Sequence, residues 1–278
     1  MNLPLRHFRA LRLLPVLGLA CLLGPVDTDA NPVGPAGHCA SHLDTLPVAR
    51  GQILPDTLKI LSWNIHKAYD AGWLEDLQRL GADANLSFIQ EATLRARLGE
   101  LWPGGPIYQS FAQGYATRDE ITGVMTLSSH APTMQCNFTR MEPWLGTPKA
   151  ATVTEHAIAG HPQRLLAINV HAVNFTLGLS DLQAQLQPLT TLLQSHAGPV
   201  ILAGDFNTWS SARAHYVDQA LRALGLEPLQ FEPDLRSTAF GMPLDHIYVR
   251  GLAVESTEVV PVSSSDHNPL RASLRLVI

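Results

Sequence analysis

Three short clusters near the carboxyl end carry much of the reactive chemistry of this chain: Gly204-Asp205-Phe206-Asn207, Leu244-Asp245-His246-Ile247 and Ser265-Asp266-His267-Asn268-Pro269. They set carboxylates, an amide and a histidine at the ends of short apolar runs, where side chains can converge on a divalent cation and a phosphate. A histidine held and polarised by a carboxylate can take a proton from water while a neighbouring carboxylate holds the metal. Two clusters upstream, Trp63-Asn64-Ile65-His66 and Ile89-Gln90-Glu91, each close an apolar strand with an oxygen ligand. Adjacent strands would put Asn64 and Glu91 side by side. Hard oxygen donors of this kind suit Mg²⁺, which accepts one or two carboxylates and keeps several waters; Mn²⁺ or Ca²⁺ are alternatives. Singly, each cluster has a plain structural explanation, since asparagine and aspartate commonly cap turns. In the Gly204 cluster the glycine lets the backbone turn, and the two-residue period of a strand sends Asp205 and Asn207 to one side. Together the clusters form a set for phosphoester hydrolysis.

The elements that must carry these residues follow from hydrophobic pattern. Strands are expected over residues 58–63, 86–90, 122–127, 150–154, 164–170, 200–203, 246–249, 254–260 and 270–277. Helices are expected over 73–80, ended by Gly81, over 181–196, with a kink or break near Pro188, and over 211–224, ended by Gly225. Alternation of this kind implies a layered α/β domain. No internal repeat of about 20–50 residues is visible, which excludes solenoids and propellers.

With 278 residues, 46% of them hydrophobic and 15% charged, the chain can bury a sizeable core, and one domain from residue 57 to 278 is expected. The amino terminus differs. Arg6, Arg9 and Arg12 precede an uncharged apolar run over 13–24 and then small and polar residues to Ala30, the layout of a secretory signal peptide. Residues 1–30 are therefore read as a signal peptide, with export to a periplasmic or extracellular space. The apolar run is about half the roughly 20 residues of a bilayer-spanning helix, so an N-terminal membrane anchor is the weaker alternative. The surroundings of Cys21 fit a lipoprotein cleavage site badly. Residues 31–56, with Pro32, Pro35, Pro47, Pro55, Gly34, Gly37 and Gly51, read as a tether or extended arm. Cleavage after Ala30 would remove three arginines and two aspartates, moving the formal charge from −5 to 16 − 22 = −6. An acidic chain lacks overall attraction for a polyanion, which counts against tight non-specific binding of duplex DNA. Cys39 and Cys136 could pair in an oxidising compartment, and two unrelated thiols are equally compatible with the sequence.

The five clusters occur in an order that resembles the endonuclease/exonuclease/phosphatase superfamily, with the deoxyribonuclease I-like fold, over residues 58–278. The resemblance implies an α/β, four-layer sandwich of two packed mixed β-sheets flanked by helices, with the active site at the strand ends on one edge. It implies Glu91 as principal Mg²⁺ ligand with Asn64 beside it and Asp266 nearby. Asp205 and Asn207 would orient the nucleophilic water and the scissile phosphate, His267 would be the catalytic histidine and Asp245 its orienting carboxylate. His171, ending an apolar strand, fits the second histidine of secreted nucleases and sphingomyelinases of the superfamily; Asn174 could serve the same phosphate, and Glu120 is the acidic partner put forward for His171. The wording around Trp63–Lys67, His171–Phe175, Gly204–Trp209, Pro243–Gly251 and Ser265–Leu270 is similar to bacterial YafD-like proteins.

The expected activity is metal-dependent hydrolysis of a phosphodiester or phosphomonoester, by a monomer. Partners could be nucleic acid or a phospholipid headgroup. The alternatives are a secreted nuclease, a sphingomyelinase-like phosphodiesterase and a non-catalytic binding protein; the intact polar set argues against the last. His171 stands where abasic-site endonucleases carry a tyrosine-containing motif, and their aromatic, arginine-bearing loop is missing. No Gly-x-Ser-x-Gly or His-Glu-x-x-His motif is present. Lys67, Arg118 and Lys149 are left open between phosphate contact and simple solvation.

Overall fold

The computed structural model describes residues 35–48, 52–101 and 107–277. The expected signal peptide lies outside the described residues. In chain order the elements are α1 (Pro35–Ala40), β1 (Ile53–Leu54), β2 (Thr57–Asn64), α2 (Trp73–Gly81), β3 (Leu86–Thr93), β4 (Tyr108–Ala116), β5 (Ile121–Ser128), β6 (Met134–Met141), β7 (Pro148–Ile158), β8 (Leu165–His171), α3 (Ser180–Ser195), β9 (Val200–Asp205), α4 (Ser211–Arg222), β10 (Glu227–Pro228), β11 (Thr238–Ala239), β12 (Met242–Pro243), β13 (Asp245–Arg250), β14 (Leu252–Val259) and β15 (Leu270–Leu276). One sheet runs β1-β7-β8-β9-β13-β10, with β6 also on β7, and the other β14-β15-β2-β3-β5-β4. Each is mixed. A parallel pair sits inside each sheet, β8 with β9 and β2 with β3, and antiparallel strands flank it. Parallel neighbours need a crossover, and α3 and α2 supply them.

Period-two alternation builds the layers. Ile60, Leu86 and Phe88 point between the sheets, where they meet Leu165, Ala167, Ile201, Ala203, Ile247 and Val249. Their neighbours Leu61, Trp63 and Ile89 point the other way, onto Leu77 and Leu80 of α2. Leu166, Ile168, Val170 and Leu202 likewise face α3 and α4 through Leu186, Leu189, Val217 and Leu221. The result is the four-layer sandwich: helix, sheet, sheet, helices. Each such fully buried aliphatic side chain contributes about 1.5–3 kcal/mol of transfer free energy.

Two details differ from the sequence expectation. Helix α3 runs through Pro188 without a break, because its buried stripe of Leu182, Leu186, Leu189, Leu192 and Leu193 is held against the sheet, and packing overrides the local defect. Within the segment read as an arm, residues 35–48 are fastened to the body. Cys39 of α1 is disulfide-bonded to Cys136 of β6, the Asp44 amide donates to Glu155 Oε1 at 2.7 Å, and Arg164 Nη2 donates to the Leu46 carbonyl at 2.6 Å.

Beneath the strand ends a polar peg crosses the sandwich. Strand β3 is bulged between Ile89 and Ala92, leaving ladder carbonyls without partners. The buried Asn169 amide of β8 donates to the Ile89 and Met125 carbonyls at 3.2 and 3.1 Å, and its oxygen accepts from Gln90 Nε2 at 2.7 Å. A buried amide satisfied on both ends fixes the two sheets against each other.

Candidate active site

Strand register brings the first group of side chains together. Asp205 ends β9, with His171 opposite on parallel β8 and Asp245 opposite on antiparallel β13. Gly204 makes this approach possible. At φ +146° it lies so near β8 that an added Cβ would stand 1.9 Å from the Val170 carbonyl oxygen. On the other sheet Asn64 pairs with Gln90, one residue short of Glu91. Glu91 adopts φ 49° within the β3 bulge, which re-aims its carboxylate toward the cleft. The last group arrives on the loop before β15. Ser265 Oγ donates to the Asn64 carbonyl at 2.7 Å, Trp63 Nε1 donates to the His267 carbonyl at 2.8 Å, and Ser264 Oγ donates to Asp76 of α2 at 2.6 Å.

The sequence-predicted residues line one cleft of about 570 Å³, apart from Asp245, which lies behind His267. Asp205 Oδ2 is its hub. Asn64 Nδ2 donates to it at 3.1 Å, His171 Nε2 stands at 3.4 Å and His267 Nε2 at 3.9 Å. Asp205 Oδ1 accepts from the Asn207 amide at 2.9 Å, and Asn207, itself at φ 49°, donates through Nδ2 to the Ala172 carbonyl at 2.9 Å. His267 Nδ1 is 2.7 Å from Asp245 Oδ2, a distance that fixes the ring with Nε2 toward Asp205. Glu91 Oε1 faces His171 Nε2 at 4.0 Å across the cleft, and Asp266 is exposed at its rim.

Burial and charge set the protonation states. Burial raises the Asp205 carboxyl to about 6, against the opposing pull of His267. Burial pulls His267 down, but Asp245 and then Asp205 outweigh it and hold the imidazolium up to about 10. Burial, Lys149, His267 and Lys67 all push His171 downward, so its ring is neutral. A buried carboxyl that is reluctant to ionise, beside a cationic histidine, forms a path along which a proton can be held or moved.

Among the described residues, two groups of side chains at the cleft could hold a divalent cation. Asp205, Asp245 and His267 offer ligand atoms within 4.8 Å of one another, though Nδ1 of His267 is already engaged by Asp245. Glu91, Asn64 and Asp266 offer oxygens alone. Glu91 Oε2 is buried and accepts no well-formed hydrogen bond, and it faces the Lys67 ammonium at 2.7 Å. Burial lowers the Lys67 proton affinity, but the close contact and charge of the Glu91 carboxylate outweigh it, leaving the ammonium more basic than usual. A buried carboxylate oxygen that draws a cation this close fits a hard divalent ion.

Some members of the site were not assigned from sequence. Lys149 Nζ sits 2.9 Å from His171 Nε2 and lines the cleft, as does Lys67, whereas Arg118 is exposed. Arg213 is almost fully buried. It donates to the Asn207 carbonyl at 2.7 Å, to Thr176 Oγ1 at 3.2 Å and to the Val173 carbonyl, clamping the loop after β8 to the one after β9. Glu120 is not the partner of His171. It stands just before β5, accepts from the Tyr69 hydroxyl at 2.5 Å and faces Arg95 at 3.7 Å, and the acid beside His171 is Asp205.

Residues 61–267 match the sequence profile of the Endonuclease/Exonuclease/phosphatase family. A UPF0294 protein of Vibrio cholerae is 39% identical over 230 residues, 81% of this chain and 80% of its own length. Among solved structures, an endonuclease/exonuclease/phosphatase family protein from Leptotrichia buccalis superposes with a TM-score of 0.62 at 16% identity, covering 79% of this chain and 100% of that one. The mannosyl-6-phosphatase Bt3783 of Bacteroides thetaiotaomicron gives 0.59 at 16% identity, covering 78% and 99%. The chain belongs to the Endonuclease/Exonuclease/phosphatase family.

Proposed function

From that family membership, we propose that this chain is a divalent-metal-dependent hydrolase of small or surface-presented phosphate esters, Mg²⁺ being the favoured ion. The observation that carries the reading is the convergence of Asn64, His171 and His267 on one carboxylate oxygen of Asp205, across the cleft from Glu91. Glu91 with Asn64 and Asp266 would hold the metal, which supplies charge neutralisation at the phosphate and the leaving oxygen. Asp205 takes a proton from the attacking water as the new P–O bond forms. The ester P–O bond breaks with its electrons on the leaving oxygen, which acquires a proton, and Asp205 returns its own to solvent. His267, kept cationic by Asp245, and Lys149 stabilise the negative charge that builds on the phosphoryl oxygens. Neutral His171 and the free amide hydrogen of Asn207 orient those oxygens. The acidic composition keeps long duplex DNA a poor substrate. Residues 1–30 are proposed to be removed on export.

Assays of the mature chain on bis-aryl and mono-aryl phosphates, with Mg²⁺ and with a chelator, test the proposal. Metal-dependent turnover abolished in Asp205→Asn is expected. Turnover indifferent to both chelator and Asp205→Asn would overturn it.

A further inference from the structure

An apolar trough of about 510 Å³ opens off the catalytic cleft and shares Asn174, Phe175, Asn207 and Leu244 with it. Its rim displays Trp144 from the β6–β7 turn, Phe175 and Leu177 from the loop before α3, and Phe240 from the β11–β12 hairpin. These side chains are 68%, 59%, 73% and 91% exposed. Single exposed apolar residues are ordinary, but a cluster from three separate segments at the mouth of one site marks a binding surface.

The hairpin adds an independent observation. Phe240 and Gly241 form its two-residue tip, with φ of 52° and 77°. Tips with both φ values positive favour asparagine and glycine, and a bulky residue there is strained. The fold thus holds a phenyl ring out into solvent against both backbone preference and the hydrophobic effect, with the Trp209 ring behind it at 6.4 Å. Strain of this sort persists at ligand-contacting positions. Among the described residues, no charged side chain lines the trough. Platforms that stack nucleic-acid bases pair aromatic rings with a basic groove along the backbone, so an uncharged trough suits an alkyl chain better.

We propose that the trough seats the acyl-chain portion of a phospholipid whose phosphate lies in the catalytic cleft, with Trp144, Leu177 and Phe240 dipping into the lipid surface. This rests on the phosphoester reading above and names its substrate class. The amphipathic indole of Trp144 favours the boundary between headgroups and chains, and the strained tip offers a wholly apolar ring for the chains themselves.

The test compares the mature wild-type protein with Phe240→Gly and Leu177→Ser on bis-p-nitrophenyl phosphate and on phosphatidylcholine–phosphatidylglycerol vesicles, with vesicle flotation as a binding readout. Wild type should float with vesicles and cleave their lipid. Phe240→Gly should lose about tenfold or more in vesicle binding and turnover, the size expected for withdrawing one phenyl ring from an apolar phase. Its turnover of the soluble ester should stay within about twofold and its thermal midpoint should hold or rise, because glycine relieves the turn. Wild type that cleaves the soluble ester but neither binds nor cleaves vesicles overturns the lipid assignment, as does a variant with wild-type vesicle turnover or a trough-dependent preference for dinucleotides. Wild type that cleaves no ester, soluble or lipid, overturns the phosphoester reading itself, and flotation then shows whether the rim binds lipid at all.

Discussion

The two walls of the cleft come from matching parts of two sheets and have opposite physical characters. On the β8–β9–β13 wall, Asp205, Asn207 and Asp245 are 2%, 4% and 3% exposed, His171 is 6% exposed, and most of their polar atoms are committed to one another. On the β2–β3 wall, Glu91 and Lys67 are partly open to water and Asp266 lies on the surface. Burial shifts proton affinities, so the first wall suits proton transfer. Charge within reach of water can exchange one cation for another, so the second suits ion binding. The same β-α-β framework yields both, according to how deeply its strand ends sit.

The division is broken most severely on the buried wall. Asp205→Asn and His267→Ala should each lose about 10² to 10⁴ in turnover with the fold retained, and each should exceed Asp245→Asn, which leaves the imidazole in place and weakens the support for its orientation and charge. Steady-state kinetics alongside circular dichroism decide this; less than about a threefold loss in His267→Ala would remove His267 from the stabilisation of phosphoryl charge. On the open wall, Glu91→Gln should raise the Mg²⁺ concentration for half-maximal activation by at least about tenfold, since even partners that only orient a ligand are worth that much. An unchanged midpoint would remove Glu91 from the metal site.

Proton affinity sharpens the contrast further. Asp205 must be ionised to accept a proton, so activity should rise as pH increases through about 6, and it should fall above about 10, where His267 loses its charge. A bound cation would move the lower limb to more acid pH. A rate that increases on acidification from pH 7 to 5 would contradict the assignment. The smallest effect belongs to Lys67→Met, which removes the ammonium competing for Glu91 and should tighten Mg²⁺ binding by about threefold in calorimetry, a change of well under 1.4 kcal/mol. Weaker binding would show that Lys67 supports the site instead.

Much of this was legible because chemistry and pattern coincide at strand ends. The runs before Asn64, Glu91, Asp205 and His171 are short, apolar and β-branched, so both the strands and their polar termini stand out. Strands β4 and β6 did not, since they lie at sheet margins with one face in water, and Tyr108–Ala116 and Met134–Met141 read as mixed polar segments. Lys149 and Arg213 were obscure for another reason. Their roles depend on which neighbour the fold delivers, His171 in one case and the Asn207 carbonyl in the other, and no local pattern encodes that. Glu120 misled because an acid near the right strand was taken for an acid near the right histidine.

Asn169 gives the molecule a property that no residue of the cleft possesses. It lies two positions before His171 on the same strand, and its side chain is wedged between that strand and the bulge that carries Glu91. An amide in that position ties the strand that ends in His171 to the bulge that carries Glu91, the two residues that face each other at 4.0 Å across the cleft. The spacing of the two walls is thus tied to the seam between the sheets, at a residue that does not itself line the cleft.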